Sequence, residues 1–541
     1  MKPNTPAVLQ PPTIYFPEKR YMGIVTFTCS IFVLYLASGL IRGYCFPNPA
    51  SPAALFAAVQ AASEVFVQLT PTGVGTSGAS DYEGYIFPSS SYGGTTFTSV
   101  LTELPQREVF YYLVDNRGAY VTKLSDEEGY EGCLPPSAVP PLSALWSNAL
   151  DGNYQAYDIS NNTRALPACS IWWHTTFAGE SYLFCHNASN IYISSSDLLI
   201  TLNLQPVVPF EQHSLYPPFE SNLPHLLECE ESTIAVIPIV KDVRRLQEEP
   251  FDSTCSTCSL NAKKKCLFIH GAGTKIHEDH LLDAYEVYWG TDIHEVVLPC
   301  CETIKFVRYD TFNTPWTNST LQENICSAMT TLSDAIEGEA MEDLMIISHS
   351  MGGLVVSLAL ESLKCTLGEE SRWISLQSPM FGSPATLALN QFCSSYKTRY
   401  LTTLLGWLGM CPATSSLTAM YPMGSSEAQE LELDAQYTRA QIFFNDRVNA
   451  VLCGTSATGL LSSESSQLQL IGSYVDYDDQ ENDGMVPLDS CMGTLNPELF
   501  HNSYTSRYYA AGINHADGTF RHGDGYWGAD RKPLKWLRCL F

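Results

Sequence analysis

The sequence feature that most constrains the fold is the segment Leu344–Leu358, which reads LMIISHSMGGLVVSL. An apolar run of strand length stops at a Ser-His-Ser-Met-Gly-Gly string, and a second apolar run continues at helical spacing. The pattern predicts a buried strand that turns sharply into a helix, with the Ser350 hydroxyl lifted clear of the sheet. Such a turn strains the backbone of its central residue and needs small neighbours two positions away. Ser348 and Gly352 are small, although Ser348 stands where the pattern usually has glycine. The alternative is a serine-capped helix that merely follows a strand.

A glycine-containing loop is the second candidate element. The apolar strand Cys266–Ile269 leads into the sequence His-Gly-Ala-Gly. Glycines let a backbone turn closely and leave amide N–H groups directed at an anion. The carbonyl oxygen of an acyl group becomes such an anion during acyl transfer. We therefore expect an oxyanion hole built from the amides of Ala272 and Met351, with an ordinary glycine-rich turn as the alternative. The other residues of this oxyanion loop are His270, Gly271 and Gly273.

An acid and a histidine complete the set of candidates. Asp483 lies on an Asp-Gly turn after the predicted strand Gln467–Gly472, and His515 follows the predicted strand Arg507–Ile513. The acids around Asp483 also suggest a calcium loop, although no glycine and glutamate fall at EF-hand positions. If His515 is structural, two other histidines are the remaining choices. They are His522 and His501.

Strands and helices alternate through the second half of the chain, which predicts a parallel sheet with functional residues at the C-terminal ends of its strands. A helix is expected over Ser319–Ile336 and one long helix over Ser425–Leu452. The apolar segment Thr398–Pro422 is expected to form either a lid over the site or an ordinary helix packed on the core. Further strands are predicted at Thr233–Val240, Ile304–Arg308 and Arg372–Leu376.

The order of the candidates along the chain is oxyanion loop, Ser, Asp, His, which is the order of the α/β-hydrolase triad. On these residues, the part of the chain from 231 to 541 resembles an α/β-hydrolase of the lipase and esterase type. The Ser-His-Ser-Met-Gly-Gly string is similar to that of lipases and of the lumenal catalytic domain of GPI inositol-deacylases. The resemblance implies an α/β fold, with a mostly parallel sheet flanked by helices.

The resemblance also implies a serine hydrolase that cleaves carboxylic esters without a metal or an organic cofactor. Ser350 would be the nucleophile, His515 the general base and Asp483 the acid that orients it. His349 is expected to point away from the nucleophile. Three other functions use the same residues: a catalytically inactive hydrolase fold that acts as a binding module, a transacylase or thioesterase, and a peptidase.

The N-terminal segment predicts a membrane anchor. Tyr21–Ile41 contains no charged residue, and about 21 residues at a rise of roughly 1.5 Å span about 31 Å, enough to cross the hydrocarbon layer. Basic residues precede this segment and only Arg42 follows it, so residues 1–20 are expected in the cytosol and the bulk of the chain in a lumenal or extracellular space. A signal peptide cleaved near Ala37-Ser38-Gly39 and a buried core helix are the alternatives. The anchor makes a lipid ester a plausible substrate.

Composition indicates an oxidising compartment. The chain has 18 cysteines spread along its length, which is typical of disulfides, and the Cys255-Ser-Thr-Cys258 pair is attributed to disulfides because no second pair follows at zinc spacing. The net charge of −28 argues against a nucleic-acid partner. Three sequons are candidates for glycosylation. They begin at Asn161, Asn187 and Asn318.

Residues 42–230 are predicted to form a mostly β accessory region without a recognisable catalytic pattern. Pro52–Gln68 is expected to be helical and Pro71–Thr98 to be a loop. Cys169 and Cys185 bracket a stretch that predicts a disulfide-tied hairpin.

Overall fold

The computed structural model describes the chain from residue 52 onward, with gaps. The described ranges are 52–72, 81–91, 94–104, 109–114, 117–122, 131–134, 154–157, 166–169, 171–177, 180–187, 190–195, 198–206, 229, 258, 260–336, 338–394, 414–460, 462, 464–478, 480–525 and 528–540. The predicted tail and anchor (1–41), the strand at 233–240, Asn161, Cys255 and most of the 398–422 segment lie outside them. Within the described ranges, no helix combines the length and apolar character needed to cross a membrane.

The accessory region contains one eleven-stranded antiparallel sheet. A short helix, α1 (Pro52–Ala61), precedes it. Along the sheet the strands run in the order β6-β5-β4-β3-β2-β1-β11-β10-β9-β8-β7. Their bounds are β1 (Val65–Pro71), β2 (Tyr82–Ser91), β3 (Gly94–Glu103), β4 (Val109–Val114), β5 (Arg117–Thr122), β6 (Glu131–Cys133), β7 (Gln155–Tyr157), β8 (Trp172–Phe177), β9 (Glu180–Asn187), β10 (Asn190–Ser194) and β11 (Leu198–Asn203).

The prediction of a mostly β region is confirmed, but two of its details are wrong. The helix ends at Ala61 rather than Gln68, because alternate residues of β1 (Val65, Val67 and Leu69) are buried in the sheet core. The predicted loop over 71–98 contains β2 and the first half of β3. Its small residues serve close pairing: a Cβ on Gly84 would lie 1.9 Å from the carbonyl oxygen of Val100 on the neighbouring strand.

Disulfides are present, as the cysteine count predicts. The hairpin of β8 and β9 is tied by Cys169–Cys185, which confirms that interpretation. Cys258 of the Cys-x-x-Cys pair is bonded to Cys300, consistent with a disulfide role. Further disulfides between described cysteines are Cys133–Cys229, Cys266–Cys301, Cys326–Cys365 and Cys453–Cys491.

The second half of the chain forms a six-stranded parallel sheet. Its strands run in the order β13-β12-β14-β15-β16-β17, and every neighbouring pair is parallel. Their bounds are β12 (Lys264–Ile269), β13 (Cys301–Phe306), β14 (Leu344–His349), β15 (Arg372–Leu376), β16 (Ala450–Gly454) and β17 (Tyr508–Ala511). The chain order reverses between β12 and β14, and ligands of such sheets bind outside the carboxyl ends of the strands at this point.

Helices cover both faces of the parallel sheet. Successive residues of β14 alternate between two apolar cores: Leu344 and Ile346 belong to one, and Met345 and Ile347 to the other. Burial on both sides explains why Leu344–Ile347 is a continuous apolar run. Among the described residues the helices are α2 (Glu286–Trp289), α3 (Ile293–Val297), α4 (Ser319–Leu332), α5 (Met351–Glu361), α6 (Pro384–Ser394), α7 (Ser415–Thr418), α8 (Ser426–Glu430), α9 (Leu433–Arg447), α10 (Ser465–Tyr474), α11 (Leu488–Met492) and α12 (Pro533–Cys539).

Helices α4, α5 and α9 pack in the first core, and α2, α3 and α12 pack in the second. The parallel sheet with flanking helices is therefore confirmed. Two predictions within it are wrong. The segment Gln467–Gly472 is part of helix α10 because Leu468, Ile471 and Val475 are buried at helical spacing. The predicted long helix is two helices that end at Arg447, and the buried run after it is strand β16.

Candidate active site

The turn between β14 and α5 has the predicted elbow geometry. Ser350 has φ 55° and ψ −130°, a backbone conformation that few residues with side chains adopt. Its amide donates to the carbonyl of Leu376 at 2.8 Å, which ties the elbow to the neighbouring strand. Ser350 is 7% exposed, so the hydroxyl lies just below the surface. The turn therefore places the hydroxyl side chain of Ser350 at the N-terminus of a buried helix.

Gly352 and Ser348, the two small residues beside the elbow, are small for different structural reasons. A Cβ on Gly352 would lie 2.8 and 2.9 Å from the carbonyl oxygens of His270 and Ile269, so the close approach of the oxyanion loop requires glycine. Ser348 is fully buried, and its hydroxyl accepts a hydrogen bond from the indole of Trp373 at 2.9 Å. The departure from glycine at position 348 is thus tolerated because the added hydroxyl has a partner.

Three distant side chains meet at this turn. The Nε2 atom of His515 lies 2.9 Å from Ser350 Oγ, and its Nδ1 atom lies 2.8 Å from Asp483 Oδ2. These positions are 165 and 32 residues apart in the chain. The side chain of His515 is 15% exposed and that of Asp483 is 1% exposed. The geometry is that of a nucleophile, a base and an acid that orients the base.

Asp483 is held by backbone donors. Its Oδ1 atom accepts from the amides of Met485 at 2.9 Å and Val486 at 2.7 Å, so Oδ2 is left for the imidazole. The amide of His515 also donates to the carbonyl of Asp483 at 2.9 Å. Because one oxygen is committed to two N–H groups, the carboxylate cannot rotate away from His515 without losing both.

The loop that carries His515 is held by Asn514. The side-chain oxygen of Asn514 accepts from the amides of Ala516 and Asp517, and its nitrogen donates to the carbonyl of Thr458. Asn514 is fully buried. These hydrogen bonds hold the backbone around His515 in place, and this fixes the point from which the His515 side chain extends.

The glycine-containing loop His270–Gly273, which is the predicted oxyanion loop, lies against Ser350. A Cβ on Gly271 would lie 2.7 Å from Ser350 Cβ, and the carbonyl of Gly271 accepts from Thr311 Oγ1 at 2.7 Å. Among the described residues, neither the amide of Ala272 nor that of Met351 has a hydrogen-bond acceptor. The Met351 amide directly follows Ser350 and the Ala272 amide directly follows Gly271, so both N–H groups can donate to a developing oxyanion.

His270 supports this loop rather than reacting. Its Nε2 atom accepts from the amide of Tyr309 at 3.0 Å, so the proton lies on Nδ1 and faces the carbonyl of Gly271 at 2.8 Å. Burial lowers the pKa of His270 to about 4. A neutral imidazole in this position fixes the direction in which the loop leaves strand β12.

Two residues near the site, Tyr288 and Gln377, were missed by the sequence reasoning, and the contacts of His349 were not foreseen. His349 is 3% exposed and does not face Ser350, as predicted, but its ring contacts Tyr288, Gln377 and the carbonyl of His515. Burial lowers the pKa of His349 well below its ordinary value, and the neighbouring His515 adds to the effect. No local pattern marks Tyr288 or Gln377, because each is defined only by the residues that it meets.

The two fallback histidines lie elsewhere. His501 is exposed. His522 contacts two carboxylates: its Nδ1 atom lies 2.8 Å from Asp517 and its Nε2 atom lies 3.2 Å from Glu464. Burial alone would lower the pKa of His522, but the hydrogen bonds and charges of Asp517 and Glu464 outweigh it and raise the pKa to about 9.

Replacing His522 with glutamine should destabilise the protein in a pH-dependent way. A folded-state pKa of about 9 against an ordinary 6.5 is equivalent to about 3 kcal/mol in the free energy of unfolding. Because the folded-state pKa is raised, this contribution is full below pH 6.5, declines between pH 6.5 and 9, and is absent at pH 10. Denaturant unfolding of wild type and variant at pH 6, 8 and 10 measures it. The exposed His501→Gln variant is the control, and a difference that does not change with pH would contradict the assignment.

The acidic loop before Asp483 gives no support to a calcium site. Asp483 is committed to His515, and the carboxylate of Asp476 accepts from the amide of Asp478. Within the described ranges, no group of three or more His, Cys, Asp or Glu residues is placed to hold a metal ion. Of the sequon asparagines, Asn187 is exposed and Asn318 caps helix α4 by accepting from the amide of Leu321. Their glycosylation stays a prediction.

Comparison with known proteins gives no sequence relative. A scan against models of protein families finds no match, and neither does a search of curated proteins. Among solved structures, the chain is similar to lipase BlEst2 of Bacillus licheniformis (15% identity, 48% of this chain and 88% of that one, TM-score 0.31). It is also similar to lipase 1 of Pelosinus fermentans (14%, 52% and 97%, 0.28) and to phospholipase PlaB of Legionella pneumophila (14%, 42% and 44%, 0.27). Identities and TM-scores this low leave the functional conclusion to the geometry of the site.

Proposed function

We propose that the chain is a serine hydrolase of the α/β-hydrolase fold that cleaves carboxylic esters through an acyl-enzyme. The observation that carries this proposal is the hydrogen-bonded chain from Ser350 Oγ to His515 Nε2 and from His515 Nδ1 to Asp483 Oδ2, at 2.9 and 2.8 Å. Ser350 follows strand β14 and His515 follows strand β17 of one parallel sheet, at the edge where such sheets place their functional residues.

The reaction follows from the donors and acceptors around Ser350. His515 Nε2 removes the hydroxyl proton as Ser350 Oγ bonds to the ester carbonyl carbon. The carbonyl oxygen gains negative charge, and the amides of Ala272 and Met351 donate to it. As the carbon–oxygen bond to the alcohol breaks, His515 gives the proton to the leaving oxygen. Water then attacks the acyl-enzyme with His515 as base, which releases the acid and restores Ser350.

Asp483 makes His515 accept the proton of the Ser350 hydroxyl rather than donate a hydrogen bond to it. Its carboxylate accepts the Nδ1–H bond, which leaves Nε2 unprotonated toward Ser350 and stabilises the imidazolium that forms. Since Asp483 is almost fully buried, the attraction between the two charges is weakly screened by solvent. No step in this sequence needs a metal ion or an organic cofactor.

The remaining assignments extend the proposal. We assign residues 231–541 to the hydrolase domain, 42–230 to a lumenal accessory region, 21–41 to a signal-anchor and 1–20 to a cytosolic tail. A membrane anchor favours a lipid or another apolar ester as substrate. The similarity of the elbow string to GPI inositol-deacylases stays a prediction from sequence, as do the membrane and the lumenal orientation.

A fluorophosphonate probe tests the proposal directly. The folded chain should be labelled, and peptide mapping should find the label on Ser350, because only an activated serine beside an oxyanion hole reacts readily. Heat-denatured protein is the control for nonspecific labelling. A folded chain that is not labelled would favour the binding-module alternative. Product analysis with added alcohol or thiol acceptors then separates a hydrolase from a transacylase or thioesterase.

A further inference from the structure

We propose that Tyr288 and His349 are positioning residues that link the oxyanion loop to the general base of the proposed reaction. Tyr288 Oη lies 2.7 Å from the amide nitrogen of Gly271 and 2.7 Å from His349 Nδ1. His349 Nε2 lies 3.1 Å from the carbonyl oxygen of His515. One chain of contacts therefore joins the residue that precedes the Ala272 amide to the backbone of the base. The inference rests on the proposed function, because positioning matters only if the site reacts.

The direction of every hydrogen bond in this chain is determined. A backbone N–H can only donate, so Tyr288 Oη accepts from Gly271. In a neutral His349 ring with its proton on Nε2, Nδ1 is an acceptor and takes the hydroxyl proton of Tyr288. A carbonyl oxygen can only accept, so His349 Nε2 carries the proton and donates to His515. Gln377 agrees with this assignment: its nitrogen donates to the carbonyl of Asn514, so its oxygen is the acceptor that lies 3.3 Å from His349 Nε2.

This arrangement requires a neutral His349. A protonated ring would direct a second N–H at Tyr288 Oη, which already accepts from Gly271, and the hydroxyl proton would lose its acceptor. The lowered pKa of the buried His349 ring agrees with a neutral form. Burial also raises the pKa of Tyr288, so its hydroxyl keeps the proton that it donates.

The chain acts at the two places where the transition state is most sensitive to position. Gly271 lies so close to Ser350 that a Cβ there would overlap the serine side chain. A small rotation of this loop would redirect the amide of the next residue, Ala272. At the other end, the carbonyl held by His349 belongs to the residue whose imidazole removes the serine proton. Displacement of either group lowers the rate of the chemical step more than the binding of the ester.

These contacts differ from those already assigned to the triad. Asp483 holds the imidazole ring of His515, and Asn514 holds the loop on either side of it. His349 donates a hydrogen bond to the carbonyl of His515. It is also hydrogen-bonded to Tyr288, which accepts from the amide of Gly271 in the oxyanion loop. In the described ranges neither side chain is hydrogen-bonded to the Ser350 hydroxyl, which lies 2.9 Å from His515 Nε2, so their role is to position and not to react.

A double-mutant cycle tests the inference. Tyr288→Phe and His349→Leu should each lower kcat for ester hydrolysis by about 10- to 100-fold and change KM less than about threefold, as expected for losses realised in the transition state. The double variant should be no slower than the slower single variant, because both changes break one chain. The rate of fluorophosphonate labelling should fall in parallel.

The control is Tyr437→Phe. Tyr437 is fully buried and its hydroxyl donates to the carbonyl of Tyr421 at 3.1 Å, in the core between α9 and the sheet. The Tyr437→Phe variant loses a buried tyrosine hydrogen bond, as Tyr288→Phe does. Its kcat should nevertheless stay within about twofold of the wild-type value. Circular dichroism shows whether each variant is folded. If His349→Leu does not fold, the kinetics of Tyr288→Phe alone test the inference.

The outcomes separate the two proposals. If the wild-type chain is neither labelled nor active, the proposed function fails and this inference fails with it. If the wild type is active and Tyr288→Phe retains the kcat of Tyr437→Phe, only the inference is overturned. Losses that multiply in the double variant, or that fall on KM alone, would also overturn it.

Discussion

Replacing Ser350 with alanine should reduce kcat for ester hydrolysis on the order of 10⁶-fold, as loss of the nucleophile does in another serine hydrolase. The oxyanion amides and the base remain in the variant, but no side chain can form the acyl-enzyme. Because Ser350 already adopts φ 55°, alanine occupies the same strained backbone with one atom fewer. The variant should therefore stay folded while its activity is lost.

Ser357→Ala is the matched control for this substitution. Ser357 lies on the same helix and is fully buried, and its hydroxyl has no hydrogen-bond partner in the described ranges. Removing that hydroxyl should leave both activity and stability nearly unchanged or slightly improve stability. Initial rates with a chromogenic ester and labelling by a fluorophosphonate measure the difference. Activity of Ser350→Ala above about 1% of wild type would mean that another residue is the nucleophile.

Replacing Asp483 with asparagine should lower kcat by about 10⁴-fold, because it reverses the tautomer of the base. The backbone amides of Met485 and Val486 donate to one side-chain oxygen of residue 483. The amide oxygen of asparagine must stay on these donors, so its NH₂ group is forced toward His515 Nδ1. Nδ1 then accepts, the imidazole proton moves to Nε2, and the base directs an N–H at Ser350 instead of a lone pair.

Asp489→Asn is the control for this second prediction. Asp489 lies six residues further along the chain, is exposed, and makes no contact with His515. Its substitution changes the net charge equally and should leave kcat within about twofold. Steady-state kinetics at pH 8 compares the two variants, and thermal unfolding shows that both are folded. Similar rates for both variants would mean that Asp483 does not set the tautomer of His515.

The elbow and the oxyanion loop were predictable because their requirements are local. A tight turn needs small residues at defined positions, and Gly352 and Gly271 satisfy contacts that any side chain would violate. Asp483 lies within hydrogen-bond distance of His515, although the segment before it that was expected to be a strand is helix α10. A short alternation of Gln and Leu fits either periodicity, and only burial of Leu468 and Ile471 on one helix face resolves the choice. For the same reason, the first residues of strand β16 were included in the predicted helix Ser425–Leu452.

By itself, the sequence determined the parallel sheet, the strained serine turn and the four chain positions from which a hydrolase site could be assembled. Each of these follows from a periodicity or from a backbone that few residue types can adopt. Only the tertiary structure decided that His515 rather than His522 faces Ser350, and that His349 and Tyr288 join the two sides of the site. Those outcomes depend on contacts between residues that are 61 to 166 positions apart in the sequence. Such meetings are set by the packing of the sheet and its helices, which no local pattern encodes.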